Sequence, residues 1–221
     1  MKKLFVCFLA VAGFAGLVHA GPNGDASAGK SKVATCVACH GEGGNSVVST
    51  FPKLAGQNER YLLKQMKDVQ CGALSKAEQK SQRCNGRSIL TMTGQLDRFD
   101  DADLADIAAY YAEQPASGGQ ANADLAAKGE EIYRAGIRAK GVAACTACHS
   151  PTGSGNGPAG YPLLGGQHAD YVAAQLKAFR AAADGLEGRS NDGETKIMRD
   201  NAYRMSDSEI AAVASYISGL H

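Results

Sequence analysis

The chain has 221 residues, with 23 Lys and Arg against 22 Asp and Glu, and this near balance excludes a polycation that holds nucleic acid by charge. It has no Trp and 27 Gly, and only 6% of its residues are aromatic. Large apolar side chains are scarce, so the fold would profit from burying a large apolar prosthetic group.

Residues 1–20 (MKKLFVCFLAVAGFAGLVHA) run from a basic start through an apolar stretch to small residues at −3 and −1, the order of a secretory signal. Cleavage is expected after Ala20; Cys7 leaves with the signal and the mature chain is exported. The apolar run is short and interrupted by Gly for a membrane span, and no later segment is apolar enough to be one. The remaining length suits two domains of about 100 residues each. Neither is strongly charged: residues 21–116 carry 11 basic and 11 acidic side chains, and residues 117–221 carry 10 and 11.

The elements that follow are helical. DASAGKSKVATC (25–36) reads as a first helix leading into CVACH (36–40), and ERYLLKQMKDV (59–69) as a middle helix. Cys71 and Cys84 lie in the connection after it; in an oxidising compartment they suggest a disulfide closing a surface loop, with free thiols as the alternative. Residues 101–113 place Leu104, Ile107, Ala108 and Tyr111 at helical spacing, with Asp100 as N-cap. PASGGQANAD (115–124) is a linker by its Pro, Ser and paired Gly. The order then repeats. ADLAAKGEEIYRAG leads to CTACH (145–149), ADYVAAQLKAF is the second middle helix, and residues 207–218 carry Ile210, Val213, Ala214 and Ile217 behind the N-cap Ser206. No segment shows the alternation of a strand.

The chain is in fact written twice. With Cys36 set on Cys145, FPKLAGQNERYLLKQMK (51–67) meets YPLLGGQHADYVAAQLK (161–177), and MTGQLDRFDDADLADIAAYYA (92–112) meets MRDNAYRMSDSEIAAVASYIS (198–218). The expected units are domain 1 at 21–114, a linker at 115–124 and domain 2 at 125–221. Each is three main helices with long Gly-rich connections, and such connections need something to wrap around.

A Cys-x-x-Cys pair can be a redox dithiol, half of a zinc site or a haem attachment site. A dithiol usually sits beside a βαβ pattern, which is missing. A zinc site needs four closed ligands, which pairs more than 100 residues apart in separate repeats do not make. Cys-x-x-Cys-His is the c-type haem signature. Cys36, Cys39, Cys145 and Cys148 would add across haem vinyl groups, giving two covalently bound haem c. His40 and His149 would then lie under the irons.

The repeat selects the sixth ligands. Met66 aligns with Leu176 and Met205 with Phe99, the pattern of core positions. Only Met92 aligns with Met198, each just before a last helix, so these two are expected on the irons. His168 aligns with Asn58 and is expected at the surface. A ligand His needs its other ring nitrogen oriented; the carbonyls of Pro52 and Pro162, 12 and 13 residues beyond His40 and His149, could accept that N–H, unless these prolines simply shape loops. Gln57, Gln167, Tyr61 and Tyr171 are duplicated polar residues that either bond haem propionates or cap helices. Arg87 and Arg189 either pair with propionates or are solvated surface charges.

On CVACH and CTACH, FPKLAGQ and YPLLGGQ, DLADIAAYYA and EIAAVASYIS, and the methionine segments at 92 and 198, the sequence resembles the diheme cytochromes c of the c4 type over nearly all of the mature chain. The resemblance implies an all-α protein of two tandem class I cytochrome-c-like domains, each around one haem with His/Met ligation. It implies a periplasmic electron carrier, loosely associated with the membrane in some members, that passes electrons from a bc1-type complex or dehydrogenase toward a terminal oxidase or reductase. No catalytic residue, small-molecule substrate or nucleic acid is expected. Two rival readings stand beside it. A diheme peroxidase would need one iron without its sixth ligand, against two equivalent Met positions. A diheme subunit of a larger dehydrogenase, for example a flavin-containing sulfide-oxidising one, shares the fold and ligands and differs by a permanent partner.

Overall fold

The computed structural model describes residues 24–220; the expected signal segment lies outside them. Among the described residues there are ten α-helices, three short 3₁₀ turns and no strand, only the isolated bridges Ile137–Val142 and Asn156–Tyr161. None of these helices is long and apolar enough to cross a membrane.

The first half comprises α1 (Ala26–Lys32), α2 (Val37–His40), α3 (Glu59–Gly72), α4 (Lys76–Ser81) and α5 (Asp101–Glu113). The second comprises α6 (Ala123–Ala135), α7 (Thr146–His149), α8 (Ala169–Ala183), α9 (Ile197–Tyr203) and α10 (Asp207–Ser218). The last helices start where their caps demand. Asp100 accepts the Asp103 amide at 2.9 Å and Ser206 accepts the Glu209 amide at 3.3 Å, each within a reciprocal capping box. Two helices exceed the sequence reading: α4 is one polar turn and more between the disulfide cysteines, and α9 begins at Ile197, so Met198 sits on a helix rather than in a loop. Helix α6 begins at Ala123, inside the segment read as linker.

In each half the first and last helices cross at a glycine. A Cβ on Gly29 would stand 2.1 Å from the Asp106 carbonyl oxygen, and one on Gly129 would stand 2.3 Å from that of Ala212. Only hydrogen fits at the crossing, so backbones touch there and the flanking apolar stripes close over them. Leu104, Ile107 and Ala108 on α5, and Ile210, Val213 and Ala214 on α10, are at most 1% exposed. Each buried Leu or Ile contributes roughly 1.5–3 kcal/mol. Cys71 and Cys84 are joined in a disulfide that returns the chain from α4 to the end of α3.

The linker is pinned rather than free. Asn45 donates to the Pro115 carbonyl at 2.9 Å and accepts from the Ser117 amide at 2.8 Å, while the Lys53 ammonium reaches the Gly118 carbonyl at 2.8 Å.

Candidate functional site

One cavity of about 1240 Å³ is lined by both halves, larger than the roughly 300–1,000 Å³ of an ordinary small-molecule site. Its walls are the apolar clusters themselves: Leu62, Met66, Val69 and Ile107 in the first half, and Val172, Phe179, Met205 and Val213 in the second. Met66 and Met205 therefore pack as core side chains. The scarcity of bulky residues in the sequence corresponds to this space.

Single-turn helices place the reactive groups. In α2 the His40 amide bonds the Cys36 carbonyl at 2.9 Å, and in α7 the His149 amide bonds that of Cys145 at 2.9 Å. One helical turn sets Cys, Cys and His at i, i+3 and i+4 on one face, and all six side chains line the cavity. The Nδ1–H of His40 donates to the Pro52 carbonyl at 2.9 Å, and that of His149 to the Pro162 carbonyl at 3.1 Å. This fixes the tautomer and leaves Nε2 as a lone-pair donor. Burial holds both imidazoles below the ordinary His range, against a smaller upward pull from the proline carbonyls, so they stay neutral as ligation requires. Met92 closes a 3₁₀ turn, Leu90–Met92, and Met198 lies in the first turn of α9; both are half-buried on the cavity wall. Thiols, neutral imidazoles and thioethers around an apolar void are the donor set of a haem held by thioether bonds with a soft sixth ligand. The residues fit that group twice.

The duplicated polar residues do something the sequence did not disclose: they join the halves. Gln57 donates to the Leu163 carbonyl at 2.9 Å and accepts from the Leu163 amide at 2.8 Å; Gln167 does the same with Lys53, at 3.0 and 3.0 Å. Arg87 donates to Gln65, Tyr171 and Gln175 at 2.9, 3.2 and 2.7 Å. Arg189 donates to Gln175, Tyr61 and Gln65 at 3.0, 3.0 and 2.9 Å. Each glutamine serves both guanidinium groups. Arg189 is 8% exposed, which removes the surface-charge alternative for it. Burial works against its charge, and Tyr61, Tyr171 and Asp68 more than restore it. Burial would likewise push the Tyr61 phenol up, yet Arg189 and Arg87 bring it below its ordinary value. His168, expected at the surface, is half-buried at this seam, with Nε2 2.8 Å from the Ser46 carbonyl. The signal that could have shown this seam was present: polar residues recur at matched positions in both repeats, as a two-fold interface between them would require.

The cytochrome c family model matches residues 26–113 and again 126–221, so the two halves are cytochrome c domains. The chain is 52% identical to cytochrome c4 of Azotobacter vinelandii over the full length of both. A crystal structure of reduced recombinant cytochrome c4 from Pseudomonas stutzeri matches with a TM-score of 0.83 and 52% identity, covering 90% of this chain and all of that one. A thiosulfate dehydrogenase electron acceptor of Thiomonas intermedia is 35% identical over 95% of this chain and 89% of its own length. The chain belongs to the cytochrome c4 family. It is a diheme electron-transfer protein with two covalently bound haem c, not an enzyme, and its partners are redox proteins.

Proposed function

We propose that the chain is a periplasmic carrier that takes single electrons from a bc1-type complex or a dehydrogenase and delivers them to a terminal oxidase or reductase. Its domains run 21–114 and 125–221, joined by 115–124. Cys36 and Cys39 would hold the first haem and Cys145 and Cys148 the second; His40 with Met92, and His149 with Met198, would ligate the two irons. The supporting observation is one cavity reached from both halves by the same Cys, Cys, His and Met set.

Bound haem iron supplies a one-electron couple that ligation by Met sulfur shifts toward Fe(II). The protein's part would be to supply both ligands of each iron from fixed backbone positions and to keep water out. Pro52 and Pro162 orient the imidazoles through their carbonyls, and the interface cluster keeps the two halves in register. The balanced charge of each half suits docking by small, transient contacts with redox partners, and peripheral association with the membrane is compatible with it.

The test is the visible spectrum of the dithionite-reduced protein with and without carbon monoxide. We expect sharp c-type bands unaffected by the gas, and a response in half of the haem signal in Met92→Ala or in Met198→Ala. A response in the unaltered protein would overturn the ligand assignment. The relative named as a thiosulfate dehydrogenase electron acceptor favours one second reading, in which the donor is a sulfur-compound dehydrogenase and the chain its dedicated acceptor. Reduction by such a dehydrogenase, compared with reduction by a bc1-type complex, separates the two.

A further inference from the structure

The two haem sites are built from one repeated pattern, but each half buries its phenol differently. In the first half the buried tyrosine is on the last helix: Tyr111, 2% exposed, packs with Val33 of the segment after α1 and with Cys36. In the second it is on the first helix: Tyr133, fully buried, in one cluster with Ile217 of α10. Tyr111 matches Ile217 in the repeat, as Tyr110 matches Tyr216; Gly29 and Gly129 at the crossings likewise match Val33 with Tyr133. Tyrosine and aliphatic residue have exchanged places.

The exchange alters hydrogen bonding. The Tyr133 hydroxyl donates to the Ser150 carbonyl at 2.7 Å. The Tyr111 hydroxyl is the one buried side-chain polar atom, among the described residues, without a hydrogen-bond partner. An unsatisfied buried hydroxyl is costly, and this one lies in the wall of the haem cavity, whereas Tyr133 does not line it. Its ring is held there on the open face of Gly44, where a Cβ would stand 2.7 Å from Tyr111 Cδ1. In the second half the matching glycine, Gly153, faces the Leu220 side chain instead. Burial and the Cys36 sulfur beside it push the Tyr111 phenol up, so it remains a protonated donor.

We propose that the Tyr111 hydroxyl donates to the haem-bearing sulfur of Cys36 and is the residue that sets the first haem apart from the second. This rests on the reading of Cys36 as a covalent haem attachment. A donor dipole with its positive end toward the haem favours the added electron, so Tyr111 raises the first-half potential. In the second half the Tyr133 phenol also lies near the matching sulfur of Cys145, but its hydrogen is engaged by the Ser150 carbonyl and is not free for that sulfur.

The test is a spectroelectrochemical titration of the holoprotein carrying Tyr111→Phe, beside Tyr133→Phe and Met92→Gln. Phe keeps the ring against Gly44, so folding is preserved, and Met92→Gln marks which of the two potentials belongs to the first half. We expect Tyr111→Phe to lower that potential alone. The change in its reduced-to-oxidised ratio should be up to about tenfold, which is 59 mV for one electron. Tyr133→Phe should leave both potentials in place. Unchanged potentials in Tyr111→Phe, a parallel fall of both, or a fall of the unmarked one alone would overturn the inference. If Met92→Gln moved neither potential, the axial assignment would fail instead. The Tyr111 result would then still decide by whether one potential or both had moved.

Discussion

At the scale of single residues, His40 and His149 each stake the site on one proton. Burial lowers both imidazoles below their ordinary value, so the folded state prefers them neutral. Above about pH 6.5 the unfolded chain is neutral there too, and nothing is lost. As pH falls below that value the unfolded chain takes up protons that the folded one refuses, and stability declines. The carboxylates work in a different window. Asp103 and Asp106 are held below the usual range by Lys32, and Asp207 by Arg180 and Lys177, so what they contribute persists until pH falls through and below about 3.8. Guanidinium unfolding at pH 7.5 and 5.5 should therefore show a lower midpoint at 5.5, with the histidines as cause. An unchanged or higher midpoint would contradict it. These histidines were legible in the sequence because Cys-x-x-Cys-His is local chemistry confined to five consecutive residues. Met92 and Met198 became candidates for another reason: the duplication supplied a second copy against which the methionines Met66 and Met205 could be set aside, and both candidates lie on the cavity wall.

At the scale of elements, periodicity located the three main helices of each half, because each buries a stripe, as Leu104, Ile107 and Ala108 do. It did not locate α4 (KAEQKS) or α9 (IMRDNAY), which are too short and too polar to show a stripe. Their helicity comes from local caps and tertiary ties: Ser75 and Glu78 box the start of α4, and the backbone and guanidinium of Arg199 in α9 bond Asp192 at 3.0 and 2.6 Å. The crossings of first and last helices are the elements least tolerant of change. Gly29→Ala and Gly129→Ala each put a methyl group within 2.3 Å of a carbonyl oxygen, and the helices must part to admit it. Each should cost about 1–3 kcal/mol, read as a fall in denaturation midpoint. Gly118→Ala, with nothing within 4 Å of the added carbon, should be neutral. Equal behaviour of the three would show that the crossings are looser than drawn.

At the scale of the whole molecule, the relation between the halves was not legible, although six of the side chains that make it were noticed; Arg60, Lys64, Asn85 and Asn191, which also bond across, were not. Gln57, Gln167, Tyr61, Tyr171, Arg87 and Arg189 were duplicated polar residues whose role in joining the halves was hidden, because each has a partner more than 80 residues away in the other repeat, beside the nearer bonds of Arg87 to Gln65 and Arg189 to Gln175. Two copies of one polar position carry no information about whether each faces its own domain or its twin. The structure answers that they face the twin, and this has a consequence for transfer between the haems. A carrier that takes an electron at one site and releases it at the other needs the two held at a constant separation. The glutamines supply this by pairing side chain with backbone, the bond type least dependent on which neighbour is mutated. Gln57→Ala frees the Leu163 amide and carbonyl, and Gln167→Ala frees those of Lys53. Both glutamines are 5% exposed, so the stranded groups are largely buried, and each substitution should weaken the seam by about 1–3 kcal/mol. Hydrogen exchange should report this locally, with faster exchange of the Leu163 amide in the first variant and of the Lys53 amide in the second. In the double variant the unfolding transitions of the two halves should move further apart than in the unaltered protein, because what couples them has been removed while each core is intact. If both amides kept their protection and the transitions did not separate, the arginine cluster and the other cross-repeat bonds, such as those of His168, Asn58 and Arg60, would be holding the halves together without the glutamines.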